Sequence, residues 1–156
     1  MSHAVICYHC DEKMPLKLGT VHHHIKNQET VKINNIPHFR CPKCNTIEYD
    51  IRDVVVTDLL KFSLEYDLHE VDYFDYHITK DTMDLVNTHL LIGSQFKHYK
   101  GSIYTITGEA VHTETEETLI LYKDEKANHW ARPKEMFFGK LEVDGKKVQR
   151  FTFVER

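Results

Sequence analysis

The sequence predicts an α+β protein made of two small domains joined by a helical connector. Three observations predict it. The four cysteines fall into two C-x2-C pairs within the first 52 residues. The stretch 53–95 is acidic and carries apolar residues at helical spacing, and 96–156 is a series of short β-rich runs broken by turn residues.

Composition sets the bounds. A chain of 156 residues suffices for one ordinary domain or two small ones. Its 41% hydrophobic and 28% charged residues are those of a chain that folds. The apolar run "AVI" is too short for a signal peptide, and no run approaches the roughly 20 apolar residues that span a bilayer. The expected location is cytoplasmic, where paired cysteines serve metals more often than disulfides. Net charge is −4 but uneven. Residues 1–52 hold 7 Lys/Arg against 5 Asp/Glu, residues 53–95 hold 2 against 9, and residues 96–156 hold 11 against 10. No segment is basic enough for a general nucleic-acid binder. The acidic middle suits either a solvated helix face or a basic partner.

In the first segment, Cys7-x2-Cys10 and Cys41-x2-Cys44 each read as a tight turn that brings two sulfurs to one side. Four thiolates at the corners of a tetrahedron suit a soft-binding divalent ion, zinc first, although spacing alone does not separate zinc from other thiophilic metals. Four sulfurs leave no open coordination position, so the expected role is one structural Zn²⁺. A redox pair or unligated buried thiols are the alternatives. The 30 residues between Cys10 and Cys41 suit a zinc ribbon with a projecting β-hairpin, "TVHHHIK" and "ETVKINNI" joined at "NQ". Alternation along the first strand puts His22 and His24 on one face and His23 on the other.

The run "ICYHC…LGTVHHHIKNQETVKINNIPHFRCPKCNTIEYD" resembles the YgiT-type zinc-finger family. The shared pattern has Gly19 and Val21 after the first cysteine pair, then Asn35 and Pro37 of "NNIP" before the second. In MqsA-like antitoxins, that resemblance implies, a zinc domain of this type binds a toxin and a C-terminal helix-turn-helix binds DNA. Here Asn45 replaces the glycine that commonly follows the second pair, and no helix-turn-helix follows.

In the connector, Val55, Leu59, Phe62 and Tyr66 form an amphipathic helical stripe, with Asp53 placed as its cap. "EVDYFDYHI" reads as a strand or an extended arm whose aromatics belong to a core. A second helix is expected from Asp81 to Gly93, with Met83, Val86 and Leu90 on its apolar face.

The segment 96–156 resembles the domain-of-unknown-function 1653 family. The shared residues are "YKG" followed by Tyr104; Ala110, His112, Glu114 and Thr115; "LYK"; Trp130, Arg132 and Pro133; Met136 and Phe137; and Arg150 and Phe151. Gln149 stands where that family usually has proline. The resemblance implies an SH3-like β-barrel of unknown activity. Local pattern also favours a barrel: "SIYTITGEAV" and "TLILYK" have strand character, "RPKEMFFG" reads as a short helical turn, and Asp144-Gly145 makes a hairpin turn. Tyr104, Tyr122, Phe151 and Phe153 are its candidate core.

The polar residues singled out as a ligand-binding face are His112, Glu114, Trp130 and Arg132. His112 and Glu114 share a strand face, where the carboxylate could orient the imidazole, or they organise a turn. Trp130 and Arg132 offer a surface for stacking and anion binding. No serine or cysteine nucleophile accompanies them, so no catalytic residue is assigned. The leading expectation is a non-enzymatic protein-binding or regulatory module with another protein as partner. A nucleic-acid-associated regulator and a small-molecule sensor or enzyme built on the His112 face are the alternatives.

Overall fold

The computed structural model describes residues 4–25 and 29–156. The chain divides into two compact units, 1–80 and 81–156. Within the described residues the fold is α+β.

In the first unit, β1 (Val5–Ile6) and β2 (Lys13–Met14) pair around the first cysteine turn. β3 (Leu16–His24) and β4 (Thr30–Arg40) form a long antiparallel hairpin. The turn expected at Asn27 and Gln28 lies outside the described residues. β5 (Ile47–Glu48) pairs antiparallel with the end of β4, and β6 (Glu70–Asp72) pairs parallel with residues 32–34. Because β3 runs along one edge of β4, β5 and β6 share the other.

The hairpin is offset where the register jumps between Gly19 and Val21. Opposite that jump, Asn35 adopts φ +56°, a conformation that asparagine tolerates better than most residues. Leu16 and Leu18 before the offset and Val21 after it are all buried. His22 and His24 are exposed and His23 is half-buried, as alternation predicts.

α1 (Val56–Glu65) buries Leu59 and Phe62 of the expected stripe, whereas Val55 and Tyr66 stay exposed. Its first residue is preceded by Val55 with no side-chain cap, so Asp53 does not cap it. "EVDYFDYHI" is strand for three residues and then helix α2 (Tyr73–Thr79). The switch falls at Asp72, whose carboxylate accepts from the backbone N–H of Phe74 and Asp75 and starts the helix. Tyr73, Phe74 and His77 are buried.

In the second unit, the helix expected over 81–93 is broken into a 3₁₀ turn (Met83–Leu85) and the short α3 (Thr88–Leu91). Two competing bonds explain the break. Asn87 turns its side chain to the N–H of His89 and caps a new helix start. The Val86 carbonyl, which a continuous helix would need, instead accepts from Lys134 Nζ at 2.6 Å.

β7 (Gln95–His98), β8 (Ile103–Val111), β9 (Thr118–Lys123), β10 (His129–Pro133) and β13 (Phe151–Glu155) form one antiparallel sheet in the order β10-β9-β8-β7-β13. α4 (Lys134–Phe138) follows β10 directly, and β11 (Lys140–Val143) and β12 (Lys146–Gln149) form a separate hairpin. Its turn has Asp144 and Gly145 at positive φ, the geometry of an Asp-Gly hairpin turn.

The SH3-like β-barrel expected from sequence is not formed. Closure requires the first and last strands to exchange backbone hydrogen bonds, and the edge strands β10 and β13 do not pair. β10 ends at Pro133, which has no N–H to offer, and the chain turns at once into α4. Side chains take the place of a closing ladder. Phe137 of α4 stacks on Phe151 of β13 at 4.1 Å, and the Arg132 guanidinium of β10 lies 5.6 Å from the same ring centre. Of the expected core, Tyr122 and Phe151 are buried, whereas Tyr104 and Phe153 are half-buried. Phe96, Phe137 and Phe138 complete the core.

Candidate metal centre and the polar face of the second unit

The two cysteine turns are built alike. The N–H of Cys7 donates to Glu12 O, and the N–H of Asp11 donates to Cys7 O. The N–H of Cys41 donates to Thr46 O, and the N–H of Asn45 donates to Cys41 O. The residue after each pair is left-handed, Asp11 at φ +57° and Asn45 at φ +62°. Asn45 thus does the backbone work of the glycine it replaces, because Asp and Asn reach this region with little strain.

The four Sγ atoms of Cys7, Cys10, Cys41 and Cys44 all lie within 4.8 Å of one another, a cluster able to ligate a metal. Zn–S bonds of about 2.3 Å put tetrahedral sulfurs about 3.8 Å apart, and Cys7 Sγ already lies 3.5 Å from Cys44 Sγ, so the set fits with small adjustments. Cys7 and Cys41 are fully buried, together with Met14. Cys44 lies at the exposed corner, its Sγ 2.9 Å from Thr46 Oγ1. That hydroxyl, with the Thr46 backbone N–H, draws the Cys44 thiol down to about 6. Cys10 is pushed up to about 12, first by its hydrogen bond to Cys44, then by burial and the neighbouring sulfurs. A thiolate at Cys44 thus opposes ionisation of Cys10, and a bound cation would favour the thiolate at both.

The four residues of the expected ligand face are not gathered at one place. His112 stands at the β8–β9 turn, where its Nδ1 accepts from the N–H of Glu114 and Thr115 at 3.1 and 3.2 Å. The Glu114 side chain is exposed, and it is its backbone that meets the imidazole. Trp130 pairs with Tyr122, five positions along β9 from Glu117, the residue that faces His112. That is about 17 Å at strand rise. Trp130 Nε1 donates to Asp124 Oδ2 at 3.1 Å. Asp124 also accepts from the N–H of Lys126 and from Asn128, whose amide leads the effects that hold its carboxyl down to about 2.

Trp130 and Arg132 do share a face, being two apart on β10. Arg132 Nε donates to Tyr122 OH at 3.3 Å. Around Arg132 lie groups that the sequence reading did not single out. The His98 ring is 5.0 Å from Phe151 and 6.2 Å from Tyr104. The N–H of Lys100 donates to His98 Nδ1 at 3.2 Å, which leaves the proton of neutral His98 on Nε2. The signal available in sequence was "HYKG": Gly101 at φ +109° closes the tight 98–102 turn that brings Lys100 back to His98.

A third polar cluster centres on a buried lysine. Lys134 is 3% exposed, and its Nζ donates to Glu109 Oε2 at 3.0 Å as well as to Val86 O. Thr88 Oγ1 donates to the same carboxylate oxygen. Burial pushes Glu109 up, but the hydrogen bonds from Thr88 and Lys134 outweigh it and hold the carboxyl below its ordinary range. Lys134 Nζ, Val86 O, Thr88 Oγ1 and Glu109 Oε2 are bonded to one another, which marks the cluster as structural.

Residues 94–153 match the model of a protein family of unknown function (DUF1653). No curated protein and no solved structure matches the chain. No helix among the described residues is long and apolar enough to cross a membrane.

Proposed function

We propose that the chain is a zinc-binding, non-enzymatic regulatory module in which one structural Zn²⁺, held by Cys7, Cys10, Cys41 and Cys44, organises a protein-binding first unit. The convergence of four sulfurs from two matching turns carries this reading. When bound, the ion would supply cross-linking charge and no open position for water. The protein does the rest: it presents the sulfurs, buries two of them, and offers the Thr46 hydroxyl to a third. Four free cysteines suit a reducing, cytoplasmic setting.

The partner surface is the outer side of α1 and its flanks. Ile51, Leu64 and Tyr66 are more than half exposed there, among the exposed acids Asp58, Glu65 and Asp67. Apolar anchors ringed by carboxylates suit a protein with a basic, partly apolar face. The resemblance to a toxin-binding zinc domain points the same way.

Elemental analysis of reduced protein should give one zinc per chain, and X-ray absorption should give four sulfur neighbours and no oxygen. A metal-free or water-ligated site would overturn the zinc assignment. Affinity capture should recover one protein with wild type and lose it with Leu64→Asp at unchanged zinc content; identical capture by both would overturn the surface assignment.

A further inference from the structure

One face of the second unit gathers positive charge without matching it. Arg132, Arg150 and Lys100 make no ion pair among the described residues. Arg150 Nε is buried without a hydrogen-bond partner among the described residues, a costly state for a guanidinium that an anion beside the group would offset through its charge. Arg132 commits Nε to Tyr122, and its two terminal nitrogens have no hydrogen-bond partner among the described residues. His98 adds an Nε2–H that has no hydrogen-bond partner among the described residues. All four groups lie together: the His98 ring and the Arg132 guanidinium lie 5.0 and 5.6 Å from the Phe151 ring centre, the N–H of Lys100 donates to His98 Nδ1, and the N–H of Tyr99 donates to Arg150 O at 2.9 Å. Burial first, and then the charges of Arg132, Arg150 and Lys100, hold the His98 pKa below its ordinary value. Aromatic rings flank them. Tyr99 is 39% exposed with Lys100 Nζ 5.8 Å from its ring centre, and half-buried Tyr104 lies 5.4 Å from Tyr122 and 5.7 Å from Phe151.

We propose that this face of the second unit binds a nucleoside monophosphate, with the phosphoryl group between Arg132, Arg150 and Lys100 and the base against Tyr99 and Tyr104. A phosphate monoester carries nearly two negative charges and three terminal oxygens, which suits several cationic donors better than one carboxylate would. The terminal nitrogens of Arg132 and Arg150 and the His98 Nε2–H supply directed donors, and the guanidinium forks bind oxygens in pairs. The rings beside the cations select for a flat group next to the phosphate, since ring stacking and cationic contact reinforce each other. Trp130 stays outside this site, because its indole N–H is bound to Asp124. The site lies wholly in the second unit and does not depend on the metal reading.

The test is a titration of the full zinc-loaded chain with adenosine 5′-monophosphate at low salt, followed by amide chemical shifts. Saturable shifts should centre on 98–104, Arg132 and 150–151. Ribose 5-phosphate should bind at least fivefold more weakly, and Arg150→Gln should weaken the nucleotide tenfold or more with the remaining spectrum unchanged. Arg132→Lys is the second variant: it keeps the charge and loses the fork, and several-fold weakening is expected. Absence of saturable shifts at 10 mM nucleotide, equal affinity for ribose 5-phosphate, or full affinity in both variants would overturn the assignment. A ten-nucleotide oligodeoxyadenylate that binds far more tightly than the mononucleotide would also overturn it, moving the site to single-stranded nucleic acid.

Discussion

Asn35 Nδ2 donates to Asp72 Oδ2 at 2.7 Å, while Asp72 Oδ1 caps α2. One carboxylate therefore ties the left-handed kink of β4 to the start of the helix packed on that strand. The neighbouring Thr20 and Asn34 extend the link, Thr20 Oγ1 to Asn34 Oδ1 and Asn34 Nδ2 to Glu70 Oε1. Asp72→Ala removes a cap and an inter-element hydrogen bond together, at an expected cost of about 2 kcal/mol. Urea unfolding of the first unit should register this, and Asp72→Asn, which keeps a capping oxygen, should lose less.

Metal removal should not dissolve the whole first unit. The cysteine end buries only Cys7, Met14 and Cys41, with Val5, Cys10 and Phe39 beside them. The β3–β4–α2 region has its own apolar core, which includes Val31, Ile33, Ile36, Tyr73 and Phe74. Chelation or Cys41→Ser should therefore strip hydrogen-exchange protection from 5–14 and 41–48 first, with the second unit unaffected. Equal protection of the two turns with and without metal would argue against the centre.

Lys134→Met should destabilise the second unit by roughly 2–4 kcal/mol, because it leaves Glu109 and the Val86 carbonyl without their donor. The lower end applies because Glu109 is 34% exposed and water can take over part of the lost contact. The double variant Lys134→Met with Glu109→Gln should recover part of the loss, as a thermal-melt cycle would show.

Acid should be reported by the single tryptophan. The Asp124 carboxyl is held down to about 2 against an ordinary 3.8. A depressed folded pKa gives stabilisation that is complete above the ordinary value and disappears as pH falls through the folded one. Trp130 fluorescence should therefore change between about pH 4 and pH 2 as the carboxylate that accepts its N–H is protonated. Asp124→Asn should show no such transition.

Features fixed by neighbours in the chain were legible. The two cysteine pairs announce a metal-binding cluster because each turn is four residues long and needs nothing distant to form. The Asp144-Gly145 turn and the alternation of His22, His23 and His24 are local in the same sense, depending on φ preference and strand period. The helix over 81–93 and the barrel depended on long-range competitors. Lys134, 48 residues away, takes the Val86 carbonyl that a helix would have used. Whether β10 meets β13 depends on how Phe137 fills the space against Phe151. The cationic face had the same origin. Arg132 was visible in the sequence, but His98, Lys100 and Arg150 join it only because β7 pairs with β13 and Arg132 of the other edge strand, β10, reaches Phe151 of β13, an arrangement that no local pattern encodes.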